Sequence, residues 1–297
     1  MQKITPFLWF DSQAEEAIKL YTSLFKNSKI VSLSRYPEGP LDGPMKGMEG
    51  RVITGVFELA GQQFMALDGG PEFKFTPGTS FFVNCETEDE LDQLWAKLSE
   101  GGMAFMPLQA YPFSEKFGWL ADKYGLSWQL NLGARAQKIM PFLMFVGKHA
   151  GKAEEAMNFY TSLFKNSRIE HVERYGPDDG GERGLKQGMF QLNGQDFRVL
   201  DSGAAHQFTF TEAISFYVEC ESQEEVDYFW NKMSADPSSE QCGWLKDQFG
   251  ISWQIIPKAL PELMNDPDPE KSKRVVDAML QMKKIDVEGL KRAYAGS

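Results

Sequence analysis

The chain has 297 residues, which allows about two domains at roughly 100–200 residues per domain. A hydrophobic share of 42% and a charged share of 25% are those of an ordinary globular protein, which excludes a mostly disordered, collagen-like or coiled-coil chain. The net charge of −11 disfavours binding to nucleic acid or an anionic membrane, and no apolar run approaches the roughly 18 residues that span a bilayer.

The amino terminus, MQKITPFLWFDSQAEE, has one lysine and then an acidic helix signal, instead of a basic stretch before a long apolar one. The sequence therefore predicts no signal peptide and a cytoplasmic protein. Three cysteines in a chain of this length do not make a disulfide framework.

The chain repeats itself. The segment EEAIKLYTSLFKNS from Glu15 returns as EEAMNFYTSLFKNS from Glu154, and SFFVNCETEDELDQLW returns later as SFYVECESQEEVDYFW. The offset between the copies changes only where turn residues collect, so the insertions lie in loops. The sequence therefore predicts two fused modules of one fold, over residues 1–135 and 136–258.

Hydrophobic periodicity and cap residues predict the elements of each module. In the first module the predicted elements are, in chain order, a strand at 4–10, a helix boxed by Ser12 and Glu15, strands at 30–36, 52–59, 63–68 and 79–85, a helix boxed by Thr87 and Glu90, a long apolar loop near Met103–Phe113, and a strand at 127–130. The second module follows the same order, with Asn193-Gly194 as a hairpin turn and Ser222 with Glu225 as a capping box. This is the α+β class, with helices on one side of a mostly antiparallel sheet.

The tail has no repeat partner, and the loop between the second helix and the last strand is longer in the first module than in the second. The loop is rich in methionine and aromatic residues, and the sequence leaves open whether it is a lid over a pocket or a surface for a partner. Residues 259–297 are predicted to form a helical extension docked on the modules. In that extension Pro269 opens one helix and Asp286 caps the last one.

The segments ITPFLWFD, AEEAIKLYTSLF, FELAGQQFMALDGGPEFKF and GWLADKYGLSWQL resemble the PhnB-like proteins, which often carry the label 3-demethylubiquinone-9 3-methyltransferase. That family belongs to the vicinal oxygen chelate superfamily, with glyoxalase I, bleomycin-resistance proteins and extradiol dioxygenases. The resemblance covers nearly all of residues 3–135 and 138–257. It implies tandem βαβββ-type modules whose curved sheets enclose a pocket and which pair within one chain.

The resemblance also implies where a metal would bind. Metal-dependent relatives use a His or Gln on the first strand and a Glu on the last strand of each module. The first-strand positions fall at or beside Thr5 and Met140, and the last-strand positions fall on Gln129 and Gln254. This set offers neither carboxylate nor imidazole, so we expect no metal. The histidines stand at no ligand spacing and are expected at the surface: His149, His171 and His206.

The methyltransferase label implies a bound S-adenosylmethionine. Such enzymes place a glycine-rich turn between a first strand and a helix. The glycine clusters here, Gly69-Gly70, Gly101-Gly102 and Gly180-Gly181, have neither that pattern nor that context. We therefore expect no cofactor and do not take the label literally.

Residues of one face of the first and last strands are the candidates for ligand binding, because alternate residues of a strand face the same side. They are Phe7, Trp9, Phe142 and Met144 on the first strands, and Gln129 and Gln254 on the last strands. The resemblance places this face on the concave side, with one amide per module as the polar group of an apolar pocket. Alternatively, these aromatic residues merely fill the interior of the sheet.

Two further pairs of residues are candidates with a structural alternative. Asp68 and Asp201 end matched strands, where each either bonds backbone amides in a turn or holds a substrate donor. Arg35 and Arg174 precede matched tyrosines, where each is either salt-bridged at the surface or anchors a ligand carboxylate or phosphonate. The matched cysteines Cys85 and Cys220 are expected to be buried packing residues.

Three functions follow as hypotheses. The first is a metal-free binder of an unidentified small molecule, of the bleomycin-resistance type. The second is a glyoxalase-like lyase or isomerase with an atypical divalent-metal site. The third is a scaffold with a vestigial pocket that binds a protein. The missing metal ligands favour the first, while catalysis and further oligomerisation remain open.

Overall fold

A computed structural model describes residues 2–39, 46–177, 179 and 184–296. It confirms the α+β class, with two sheets of seven and eight strands. The strands are β1 (Ile4–Phe10), β2 (Lys29–Arg35), β3 (Val52–Leu59), β4 (Gln62–Asp68), β5 (Thr79–Cys85), β6 (Met103–Tyr111), β7 (Ser114–Ala121), β8 (Ser127–Leu132), β9 (Ile139–Phe145), β10 (Arg168–Arg174), β11 (Leu185–Leu192), β12 (Gln195–Asp201), β13 (Ile214–Cys220), β14 (Trp244–Lys246) and β15 (Ser252–Pro257). The helices are α1 (Ala14–Leu24), α2 (Glu88–Leu98), α3 (Ala153–Leu163), α4 (Gln223–Met233), α5 (Ala259–Met264), α6 (Pro269–Met279) and α7 (Val287–Ala295). None of these helices is long and apolar enough to cross a membrane.

The chain divides into two compact units. The larger comprises Gln2 and Pro6–Ile214, and the smaller comprises Lys3–Thr5 and Ser215–Ser297. The larger unit contains the whole eight-stranded sheet, in the order β10-β11-β12-β9-β5-β8-β7-β6. It also holds β2, β3, β4 and most of β1, whereas β14, β15 and most of β13 lie in the smaller unit.

The eight-stranded sheet takes four strands from each repeat. Strands β5 to β8 come from the first copy and β9 to β12 from the second, and β5 and β9 join the two sets in an antiparallel pair. The β5–β8 and β9–β12 pairs are parallel. The first and last strands that the sequence singled out, β9 and β8, therefore both lie next to β5.

The core of the larger unit lies where α1 and α2 pack on strand residues. The helices contribute apolar residues spaced three and four apart, including Ile18, Tyr21 and Leu91, and β8 contributes Trp128. Trp128 is fully buried there, and its Nε1 donates to Asp122 Oδ2 at 2.9 Å. This confirms the prediction that Trp128 faces the helices, so its neighbours on β8 face the other side.

Two of the three predicted capping boxes in the modules are confirmed. Thr87 accepts from the backbone N–H of Glu90 at 3.2 Å, and Ser222 from that of Glu225 at 3.4 Å. The box of Ser12 with Glu15 is wrong, because the N-cap is Gln13 and its side chain makes no capping hydrogen bond in the described part of the chain. The carboxylate of Asp68, distant in sequence, accepts from the first helical N–H instead, at 2.8 Å from Ala14 N.

The prediction of a long apolar loop near Met103–Phe113 is wrong as well. Met103–Tyr111 and Ser114–Ala121 form the antiparallel hairpin of β6 and β7. Three register shifts interrupt this hairpin, and Pro107 stands within β6. Because β6 is the last strand of its sheet, a proline is tolerated there, and the broken alternation hides the strand from pattern reading.

The predicted C-terminal helical extension is confirmed as α5, α6 and α7. Pro269 is the first residue of α6, and Asp268 accepts from Glu270 N at 2.9 Å. Asp286 is the N-cap residue of α7, as predicted, but within the described residues its side chain makes no capping hydrogen bond. Within the smaller unit, the three helices share a buried cluster with β15, made of Ile256, Leu260, Val275, Ile285 and Leu290.

Candidate ligand site

One face of the eight-stranded sheet carries an apolar cluster separate from the helix-covered core. On β5, Phe81 and Val83 belong to that core, whereas Phe82 between them belongs to the second cluster. The buried members of the second cluster are Phe82, Phe117, Met140, Phe142, Met144 and Val146, and half-buried Met106, Tyr111, Trp119, Leu200 and Phe208 pack against it. We call this surface, together with Gln129 and Arg198, the Phe82 face.

The strand register aligns the members of this face in rows. Phe82 on β5 stands between Met140 on β9 and Gln129 on β8, and Gln129 is in turn paired with Trp119 on β7. In the next row Phe142 is paired with Arg198 on β12. Neighbours in register point to the same side of a sheet, so these side chains converge.

The amide of Gln129 is the fixed polar group of this face. Its Nε2 donates to Ser80 Oγ at 2.9 Å, and the side chain is buried. In the smaller unit, Gln254 has the same arrangement, with Nε2 2.9 Å from Ser215 Oγ. Both amides therefore have one set orientation, with a neighbouring-strand serine as the partner.

The structure brings three of the predicted site residues together and leaves others apart. Phe142, Met144 and Gln129 lie on the Phe82 face. Phe7 is buried on β1. Trp9 lines a separate groove of about 470 Å³ with aromatic neighbours including Phe73 and Tyr124, and its Nε1 donates to Gly70 O at 2.9 Å.

Asp68 and Asp201 have the structural arrangement that the sequence offered as one alternative. Asp201 accepts backbone N–H groups of Gly151 at 2.7 Å, Ala153 at 3.1 Å and Leu185 at 2.7 Å. Asp68 accepts from Ala14 and, at 3.2 Å, from Val52. Burial raises the pKa of both carboxyl groups, against the lowering effect of these backbone hydrogen bonds. Each carboxylate thus ties a helix start to a neighbouring strand.

Arg35 and Arg174 are exposed and paired with acidic residues on the helices. The Nη2 atom of Arg35 lies 2.7 Å from Glu15 Oε2. Arg174 donates from Nε and Nη2 to the two carboxylate oxygens of Glu154. Hydrogen bonds from Lys19 and then Arg35 lower the pKa of Glu15, and a hydrogen bond from Arg174 lowers that of Glu154. The structure therefore places both guanidinium groups in surface ion pairs.

Arg198 is a site residue that the sequence reasoning missed. Its guanidinium carbon lies 4.0 Å from the centroid of the Phe82 ring, and its Nε is buried without a hydrogen-bond partner. Burial, and after it the charge of Arg135, lowers the pKa of Arg198 to about 10, so the group stays protonated at neutral pH. A signal was present in the repeat, because the first copy has Met65 at the matching position of GQQFMALD.

The cysteines and histidines lie outside this face or at its edge. Cys85 and Cys220 are fully buried, as predicted, and burial raises the pKa of each thiol to about 12. His206 Nε2 lies 2.8 Å from Ser202 Oγ in the segment after β12. His149 follows β9 and His171 is exposed on β10. Among residues 2–39, 46–177, 179 and 184–296, no three His, Cys, Asp or Glu side chains group as metal ligands.

A sequence model of the family described as 3-demethylubiquinone-9 3-methyltransferase matches residues 2–131 and 137–256. The chain belongs to this family. Each match covers one of the two repeats, so the protein is a tandem of two PhnB-like modules followed by the C-terminal helices. A comparison with curated proteins gave no match.

Solved structures of similar proteins include the PhnB protein from Bacillus cereus, which is 55% identical over 44% of this chain and 100% of its own, with a TM-score of 0.42. A protein from Staphylococcus aureus is 38% identical over 45% of this chain and 98% of its own, with a TM-score of 0.19. A glyoxalase I mutant from Zea mays is 11% identical over 86% of this chain and 94% of its own, with a TM-score of 0.51. The last likeness shows the fold alone, which is that of glyoxalase I.

The residues at the implied metal positions do not fit a divalent ion. In the larger unit they are the buried thioether of Met140 and the amide of Gln129, which donates to Ser80. In the smaller unit they are Thr5 and Gln254, the latter bonded to Ser215. Zinc and nickel sites use imidazole, carboxylate or thiolate groups, which these positions lack.

The glycine clusters likewise do not fit S-adenosylmethionine. Gly69-Gly70 follows β4 and leads to no helix, and a Cβ on Gly69 would lie 2.2 Å from the Trp9 ring. Gly69 therefore accommodates the indole of Trp9. Gly101-Gly102 joins α2 to β6, and Gly180-Gly181 lies outside the described residues. The glycine clusters that the structure describes therefore form no turn of the kind that binds S-adenosylmethionine.

Proposed function

We propose that this PhnB-like protein is a metal-free small-molecule-binding protein of the bleomycin-resistance type, and that the ligand binds on the Phe82 face. The observation that carries the proposal is the convergence of aromatic and methionine side chains with one fixed amide and one guanidinium group. Small-molecule sites are mostly apolar, with a few polar groups that set the orientation of the ligand.

The residues of the Phe82 face would make different kinds of contact with the ligand. The rings of Phe82 and Phe142 lie 6.4 Å apart at an interplanar angle of 19°, which gives a flat ligand two parallel surfaces. Met140 and Met144 are unbranched and polarisable, so they adapt to the outline of a ligand. Gln129 gives the ligand one polar contact of set direction, because its bond to Ser80 fixes the amide.

The ligand would reach the Phe82 face from solvent, past the half-buried side chains around the cluster. Leu200 on β12 and Trp119 on β7 pack against the buried members and still contact solvent. A bulky substitution at Leu200 would therefore cover the face. The repeat supplies a matched control, because Leu67 on β4 occupies the same position in the first copy and is also half-buried.

The test is a fluorescence titration with N-phenyl-1-naphthylamine, a neutral apolar probe. We expect saturable binding to the native protein and a loss of about tenfold or more in affinity, about 1.4 kcal/mol, in Leu200→Trp. Leu67→Trp should bind as the native protein does. Unchanged binding in Leu200→Trp, or a loss in Leu67→Trp instead, would contradict a site on the Phe82 face.

The metal-free part is tested on untagged protein by elemental analysis and native mass spectrometry. We expect less than one divalent ion per chain and the same probe affinity with and without a chelator. A stoichiometric ion that is lost in Gln129→Ala would instead support a glyoxalase-like metal site and would contradict the metal-free part of the proposal.

A further inference from the structure

This inference rests on the proposed function and narrows the class of ligand. We propose that Arg198 is the anion-recognition residue of the Phe82 face, and that the ligand is a flat apolar molecule carrying one acid group, such as a carboxylate or sulfonate.

The position of Arg198 is one that the fold fills with an apolar residue elsewhere. In β12 it stands between Met189 on β11 and Phe142 on β9, on the same side of the sheet as both. The first copy has Met65 at the matching position of β4, which is also half-buried. A strand of this family therefore folds without a charge here, and the charge needs another explanation.

The guanidinium group of Arg198 makes no direct ion pair within the described residues, although the charge of Asp196 acts on it. Its Nε is buried and unbonded, and within residues 2–39, 46–177, 179 and 184–296 it makes no ion pair. The carboxylate two residues earlier, Asp196, is occupied by Arg135 Nε at 2.7 Å and by Gln191 Nε2 at 2.6 Å. A buried donor without a partner is costly, and an anion supplied by a ligand would remove that cost.

The Phe82 ring holds the guanidinium group in place without satisfying it. A ring face attracts a cation at this distance but accepts none of the hydrogen bonds that the five N–H groups of an arginine can donate. A carboxylate or sulfonate would accept two of them in a bidentate pair. The stacked group is thus oriented over the apolar surface on which the ligand would lie.

The geometry also limits the size of the ligand. The arginine side chain starts on β12 and reaches Phe82 two strands away, and Phe82 is the register partner of Gln129. A ligand that meets both the guanidinium group and the amide therefore spans one or two strand spacings, roughly 5–10 Å. One or two fused aromatic rings with an acid substituent have this length.

The test compares two probes that share one ring system. 1-Anilinonaphthalene-8-sulfonate carries a sulfonate, whereas N-phenyl-1-naphthylamine is neutral. The variants are Arg198→Met, which copies the first repeat, Arg198→Lys, which keeps the charge, and Arg292→Met. The last is a charge-matched control, because Arg292 is exposed on α7 in the smaller unit.

In the native protein we expect the anionic probe to bind more tightly than the neutral one. Arg198→Met should lose about tenfold or more in affinity for the anionic probe and keep that for the neutral probe within about threefold. Arg198→Lys should keep part of the preference, and Arg292→Met all of it. Thermal melting of each variant establishes that it is folded at the temperature of the titration.

Each outcome separates this inference from the proposed function. If the neutral probe binds in a manner blocked by Leu200→Trp, but Arg198→Met leaves the anionic probe unchanged, then the anion role is wrong and the binding face stands. If an equal loss occurs in Arg292→Met, general charge attraction explains it and the inference is wrong. If neither probe binds the native protein, both the inference and the proposed function fail.

Discussion

The carboxylate of Asp201 offers a quantitative test of what holds the larger unit together. It is 1% exposed and accepts three backbone N–H groups, from Gly151, Ala153 and Leu185. Ala153 is the first residue of α3, Gly151 lies in the turn before it, and Leu185 is the first residue of β11. A Cβ on Gly184 would lie 2.4 Å from Asp201 Oδ2, so a glycine is needed beside the carboxylate.

Asp201→Ala leaves these three donors without an acceptor. A buried unpaired donor costs about 1–3 kcal/mol, and with partial access of water to the widened site we expect a total of about 4 kcal/mol. Each kcal/mol lowers the melting temperature by roughly 2–4 °C in a unit of this size. The expected fall in melting temperature is therefore about 8–16 °C. Asp201→Asn keeps one oxygen and loses about one bond, so its fall should be a fraction of that.

Thermal melting and urea unfolding followed by tryptophan fluorescence measure these effects, with Asp68→Ala as the matched variant in the first copy. Asp68 accepts two backbone N–H groups, so its replacement should cost less than that of Asp201. Below the unfolding transition, Asp201→Asn should bind the neutral probe as the native protein does. A variant with a native melting temperature but no probe binding would refute the structural role and indicate that Asp201 contacts the ligand.

Two further predictions concern the turns and the thiols. Ala60 has a φ of 50°, in the left-handed region that disfavours alanine, whereas the second copy has Asn193 at 49°. Ala60→Asn should raise the free energy of unfolding, measured with urea, by about 0.5–1 kcal/mol, and Asn193→Ala should lower it by a similar amount. A decrease in Ala60→Asn would contradict the role of turn conformation. Cys85 and Cys220 are fully buried with thiol pKa values of about 12, whereas Cys242 is half-buried. Ellman's reagent should therefore modify one thiol in the native protein and three in urea, and rapid reaction of Cys85 would show that its strand opens.

Most of the fold could be predicted from the sequence because the strands and helices of each repeat bury one face. One-sided burial spaces the apolar residues regularly, at two residues in a strand and at three to four in a helix. Thr87 and Ser222 could be assigned as caps because a cap acts within four residues. The start of α1 could not, because its acceptor is Asp68, which lies 54 residues further along the chain. The hairpin of β6 and β7 escaped detection because an edge strand with a proline and register shifts buries no continuous face.

The candidate site was predicted in part for the same reason. Phe142, Met144 and Gln129 could be assigned to one face, because alternation along a single strand orders them. Which strands of the two copies share a sheet is a property of long-range pairing, so the meeting of Gln129 with Met140 across Phe82 could not be read from either strand alone.

Arg198 illustrates a different kind of information that an internal repeat carries. Two copies of one module solve the same folding problem, so a position that is apolar in one copy and charged in the other is not set by folding. The pair Met65 and Arg198 is such a position, and the structure places the charged member unpaired over an aromatic ring. Asp68 and Asp201 show the converse, since the same residue in both copies makes the same kind of backbone contact. Differences between copies at half-buried strand positions therefore point to function, and identities at buried polar positions point to folding.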